Sequence, residues 1–182
     1  MELLQSIRTE YTRYRRLAEL SLEQVADADL DRRIEGDSQG NSIAVTMGHL
    51  IGNLKSRFTD FLTTDGEKEW RQRDREFESP NLDRAGLMTG WHEAWEIVDR
   101  ALDDVANAGD AVFAKNITIR NVPLTVTDAL LRSVAHVAYH TGQIVYLART
   151  FVGPGWQSPS IPKGQSDAYA KTPTKEKRPD GK

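Results

Sequence analysis

The stretch TVTDALLRSVAHVAYHTGQIVYLARTFVGPG, residues 125–155, decides how the rest of the chain is read. Leu130, Val134, Val137, Thr141, Ile144, Val145 and Ala148 recur at helical spacing, so the segment predicts an amphipathic helix from Thr125 or Thr127 to about Phe151. Gly153-Pro154-Gly155 ends it, because proline cannot continue a helix and glycine accepts the left-handed cap. At the border of the apolar stripe stand His136 and His140, four residues apart. Side chains at that spacing lie one above the other, with about 5–6 Å between their Cβ atoms. Two imidazoles so placed can close on one divalent ion. The residues between them are Val137, Ala138 and Tyr139, with no glutamate to act as a metalloprotease base. By itself the pair fits a metal site or two ordinary polar residues at a helix border.

Upstream, the same period recurs three times. Leu4, Ile7, Tyr11, Tyr14, Leu17 and Leu20–Leu22 predict a first helix from about Leu3 to Val25. Residues 26–41 carry turn chemistry, and Asn41 or Ser42 caps a second helix. Ile43, Met47, Leu50, Leu54, Phe58 and Phe61 form its core face. A separate small, polar line holds His49, Gly52, Asn53, Ser56 and Asp60, with Gly52 leaving room for close approach of another element. The run DGEKEWRQRDREFE, residues 65–78, reads as a solvated crossover with a few helical turns. Asn81 or Asp83 caps a third helix that runs to about Ala106 and buries Leu87, Trp91, Ala94, Trp95, Val98 and Leu102. Residues 111–124 are rich in Val, Ile and Thr, and Arg120–Asn121 separates two extended pieces, which reads as a short hairpin or extended excursion.

The expected architecture is therefore all-α: a four-helix bundle over residues 1–152, with a long crossover between helices 2 and 3 and a small extended insert before helix 4. Residues 153–170 carry Trp156, Ile161 and Tyr169 and are expected to pack on the bundle; residues 171–182 are expected to be a disordered tail.

The 182 residues contain no cysteine, which excludes disulfides, thiolate metal sites and a cysteine nucleophile. A net charge of −3 argues against a general nucleic-acid binder, and the basic run TKEKRP is short and terminal. Neither a signal peptide nor a transmembrane stretch is legible, so the expected compartment is the cytoplasm, with no membrane partner. Glycine-rich phosphate loops and Gly-x-Ser-x-Gly are absent. His92, between Trp91 and Glu93, reads as a surface or packing residue, and Tyr139, about 100° round the helix from His140, as a packing residue.

Three stretches carry a family resemblance: GNSIAVTMGHLIGN (40–53), HVAYHTGQIVYLAR (136–149) and WQSPSIPKGQS (156–166). With DGEKEWRQRDREFE they resemble the DinB superfamily, the DinB/YfiT-like metalloenzymes, and one branch of it described as a domain of unknown function. The resemblance implies an up-down-down-up four-helix bundle. It also implies a divalent ion, zinc or nickel, held by His49, His136 and His140. Some members of that superfamily are thiol-dependent transferases using low-molecular-weight thiols, another is an isomerase, and relatives often form homodimers. Gln143, one turn after His140, is a candidate for orienting an imidazole or a ligand; Asn53 and Arg57 are candidates for binding a small anionic substrate. Three readings stay open: a metal-dependent enzyme for thiol transfer, isomerisation or hydrolysis on a small molecule; a non-catalytic metal- or small-molecule-binding module; and a structural protein with vestigial histidines.

Overall fold

A computed structural model describes residues 2–37 and 39–174. It is mostly helical: α1 (Glu2–Leu22), α2 (Ile43–Phe58), α3 (Arg84–Ala108) and α4 (Val126–Val152) are long, and α5 (Ser166–Lys171) is short. Strands β1 (Asn116–Ile119) and β2 (Val122–Thr125) pair antiparallel in a two-stranded hairpin, with Ile119 opposite Val122. Most of the tail expected to be disordered, residues 175–182, lies outside the described residues.

The helices begin where side chains answer their first free N–H groups. Ser42 Oγ accepts from Val45 N at 3.1 Å and donates to Asp31 at 2.7 Å. Asp83 accepts from Gly86 N at 2.8 Å, and Thr125 Oγ1 accepts from Asp128 N at 3.0 Å. The hairpin turn places Arg120 and Asn121 at φ 56° and 60°, the left-handed pair that a two-residue turn between twisted strands demands.

Helix α1 lies against α4, α4 against α2, α2 against α3, and α3 back against α1. The faces read from the sequence meet between them. Ile43, Met47, Leu50, Leu54, Leu87, Trp91, Trp95 and Leu102 are fully buried there. Tyr11 stands edge-on to both Phe58 and Trp95, at 6.0 and 5.7 Å between ring centroids. Burial of side chains of this size contributes about 1.5–3 kcal/mol each, which makes this core the main source of stability.

Two expectations need correction. The 65–78 run is a solvated crossover only in part: Glu69, Trp70 and residues 72–75 are exposed, whereas Gly66, Arg71 and Glu76 are covered. It folds back over α2 and is stitched to both α2 and the hairpin. Gly66 N donates to Thr118 O at 2.8 Å, Ser56 Oγ donates to Gly66 O at 2.9 Å, and Lys68 N donates to Ser56 Oγ at 3.2 Å. Asp65 accepts from the turn amides of Arg120 and Asn121, both at 2.8 Å. The polar line of α2 is covered as a result: His49, Asn53 and Ser56 are buried. Tyr139 is likewise no packing residue, since 65 % of it is exposed.

In the segment after α4, Trp156 packs on the core cluster and Gln157 exchanges two hydrogen bonds with Gln24 of α1, at 3.0 and 2.8 Å. Ile161 and Tyr169 line a shallow hollow with Pro162 and Ala168. Among the described residues, no helix is long and apolar enough to cross a membrane.

Candidate metal centre

Helix α2 brings in His49 and helix α4 brings in His136 and His140. One ring nitrogen from each lies within 4.8 Å of the other two. His49 Nε2 is 3.2 Å from His136 Nε2. Two nitrogens bound tetrahedrally to one zinc at about 2.0–2.1 Å would sit about 3.3 Å apart, so this spacing suits a shared ion.

The outer nitrogens are fixed from behind. His49 Nδ1 lies 2.8 Å from Glu76 Oε2. An ionised carboxylate only accepts, so a proton sits on Nδ1 and Nε2 faces the centre. His140 Nδ1 lies 2.8 Å from Gln143 Oε1, which orients that ring the same way. His136 Nδ1 is buried with no hydrogen-bond partner among the described residues. The donor set therefore fits a divalent ion: three imidazoles, two of them directed inward by acceptors.

Glu76 is itself held. Arg71 donates to it through Nε at 2.7 Å and Nη2 at 2.8 Å. Burial works to raise the Glu76 pKa, but the hydrogen bonds from Arg71 and His49 and their charges win, holding it below the usual carboxylate range. Arg71 is 2 % exposed and Glu76 10 % exposed, so the pair is desolvated and depends on mutual satisfaction. Phe77 stacks on His49 at 4.9 Å, and the Arg73 guanidinium lies over the other aromatic contact of that stack, 5.0 Å from the Phe77 ring. His136 and His140 favour the neutral, ligating form. Burial, then the charges of His140, His49 and two arginines, push His136 down to about 3; burial and then the neighbouring His49 outweigh the Gln143 hydrogen bond to lower His140.

The centre opens into a cavity of about 540 Å³ lined by all three histidines. Asn53, one turn beyond His49, is buried in its wall. Arg57 also lines it, donating to Gly66 O and to Glu67 at 2.9 Å. Tyr139 stands beside His140 at the cavity, ring edge to ring face at 4.8 Å. His92 is exposed on α3 and takes no part.

Residues 1–165 match the profile of the family described as "Protein of unknown function (DUF1572)". The chain belongs to that family. No curated protein and no solved structure matches it. The matched span of this DUF1572 member contains α1 to α4, the hairpin and the whole histidine cluster.

Sequence reasoning missed Arg71, Glu76 and Phe77. They lie 22 to 28 residues from His49 in a run whose charges read as solvated. The one available signal was Gly52. A Cβ there would stand 2.8 Å from Glu76 Cδ, so the glycine marks where the carboxyl group lies on α2.

Proposed function

We propose that this DUF1572 protein is a metal-dependent enzyme of the DinB/YfiT-like type, acting on a small molecule. In this reading its helices form that superfamily's up-down-down-up four-helix bundle, in a cytoplasmic protein that forms homodimers. His49, His136 and His140 hold the ion, zinc or nickel. The observation that carries the reading is the convergence of their three ring nitrogens within 4.8 Å beside an open cavity.

A divalent ion on three neutral imidazoles supplies a Lewis acid that can polarise a carbonyl or acidify a bound water or thiol. The residues of the chain do the positioning. Glu76 and Gln143 keep the His49 and His140 rings in one tautomer and orientation, and Arg71 keeps Glu76 ionised. Asn53 is available to a ligand in the cavity wall. Because the chain has no cysteine, a low-molecular-weight thiol would have to bring any sulfur nucleophile. The reaction class is thiol transfer, isomerisation or hydrolysis.

One observation favours a second reading, a non-catalytic metal- or small-molecule-binding module. Among the described residues the cavity lining holds no carboxylate, and Glu76 behind His49 is taken by Arg71 and does not offer a free general base. Elemental analysis of untagged protein tests the metal; about one ion per chain is expected, with loss of the ion on His140→Ala. Less than about a tenth of an equivalent, before and after added zinc or nickel, would end both metal readings. Turnover in a panel of thiol-transfer and hydrolysis assays then separates the enzyme from the binding module.

A further inference from the structure

The cavity carries more positive charge than the chain answers. Arg57, Arg71, Arg73, Arg120 and Arg132 all line it. Three of them are turned on two carboxylates. Arg71 grips Glu76, while Arg57 Nη1 and Arg120 Nε share Glu67 Oε2 at 2.9 and 3.1 Å. The other two are not neutralised. Arg132 has no hydrogen-bond or ion-pair partner among the described residues. Arg73 reaches only Asp74, at 3.9 Å, and that carboxylate is fully solvated. An exposed pair at such a distance is worth little. Five guanidinium groups thus face two carboxylates at one cavity, on a chain whose overall charge is −3.

The buried side of the cavity points the same way. Arg71 is 2 % exposed, yet its Nη1 makes no hydrogen bond and comes no nearer than 3.5 Å to Glu67. A buried donor left without an acceptor is costly, and its charge adds to the positive potential of the wall. Position matters too. Arg132 stands one helical turn before His136 on α4, and Arg73 is propped on Phe77, which stacks on His49. The two unanswered cations therefore flank the histidine cluster from two different elements. Much of the remaining wall is apolar, with Phe58, Phe61, Ile117, Ile119 and Val122 beside the polar Asn53, Ser133 and Tyr139. An inorganic anion would leave that surface wet, and a cavity of this size suits a small molecule.

We propose that the cavity binds a small organic anion, a carboxylate or phosphoryl group on an apolar body, with Arg73 and Arg132 holding the charge beside the histidine cluster. That this anion is the substrate rests on the metal-enzyme reading; that it binds does not. Arg57, a sequence-level candidate for this role, is already engaged by Gly66 and Glu67.

The test is calorimetric titration of the full chain with phenylphosphonate and with neutral benzamide, after chelation and again with zinc. Chelated protein is the deciding arm, because an ion would itself attract the phosphonate. Phenylphosphonate should bind at least about tenfold tighter than benzamide, and added salt should weaken it. Arg132→Gln and Arg73→Gln should each cost about tenfold in phenylphosphonate affinity and leave benzamide unchanged. Arg132→Lys should restore part of it, since lysine keeps the charge but not the fork. Equal affinity for the two probes, or two glutamine variants that bind phenylphosphonate like the parent, would overturn the proposal. If phenylphosphonate behaves as stated while zinc and nickel fail to bind, the anion site stands and the metal reading falls. Stoichiometric metal with no preference for the anion is the opposite result.

Discussion

One carbon atom at Gly52 should reverse the usual sign of a helix substitution. Replacing glycine by alanine inside a helix ordinarily stabilises it by about 1 kcal/mol. Gly142 on α4 offers that ordinary case: it is exposed, and a Cβ there would meet nothing within 4 Å. At Gly52 the new Cβ would land on the Glu76 carboxyl group, 2.8 Å from Cδ and closer to Oε1. The carboxyl group is the far end of a flexible side chain, so the backbone need not move. The cost is what the side chain must release. Glu76 holds His49 Nδ1 at 2.8 Å and Arg71 at 2.7 and 2.8 Å. Hydrogen bonds to charged groups contribute about 1.5–3 kcal/mol each, and Arg71 is too buried for water to replace its partner freely. Loss of one or two such bonds, offset by the helix gain, leaves Gly52→Ala about 0.5–5 kcal/mol less stable than the parent. Gly142→Ala should be about 1 kcal/mol more stable. For a chain of this size each kcal/mol moves Tm by roughly 2–4 °C, so thermal or urea unfolding in the presence of a chelator resolves the difference. If Gly52→Ala gains stability as Gly142→Ala does, Glu76 does not lie over α2 and the account of the site fails.

Two further outcomes follow from the same contacts. Asp65 accepts from the amides of Glu67, Arg120 and Asn121 at 2.7, 2.8 and 2.8 Å. Asp65→Ala should cost about 1–2 kcal/mol and speed amide exchange at Arg120 and Asn121; unchanged exchange there would mean that the turn holds its left-handed residues unaided. Metal-free protein should also lose stability as pH falls from about 6.5 toward 3. In that window an unfolded histidine takes a proton, whereas buried His136, pushed down to about 3, does not. The unfolded state therefore binds more protons, and stability rises with pH. His136→Gln should flatten this part of the profile; an identical slope in the variant would show that His136 is not held neutral.

The legible parts of the fold were those set by local spacing. The buried faces of α2 and α3 follow from apolar residues at i, i+3 and i+4. The caps at Ser42, Asp83 and Thr125 follow from one side chain meeting one amide three residues on. The same locality put His136 and His140 on one face of α4. The 65–78 run failed for the converse reason. Its composition is that of a solvated surface, and only pairing across the chain makes its burial affordable. Glu76 finds His49, Asp65 finds the hairpin turn, and Ser56 finds Gly66. Tyr139 was misread because the helix period gives a direction but not what stands in it.

By itself, then, the sequence determined four amphipathic helices, their ends, a histidine pair one turn apart and the absence of any thiol ligand. Spacing alone left His49 on a polar line, and only the family resemblance joined it to His136 and His140. Only the tertiary structure brought the third imidazole to the other two, laid Glu76 behind it and gathered five arginines around one cavity. Helix periodicity acts over a few residues and is written in order along the chain. Convergence at a site depends on packing between segments as far as 87 residues apart in the case of His49 and His136, and farther for His140, and on desolvation that exists only once they meet.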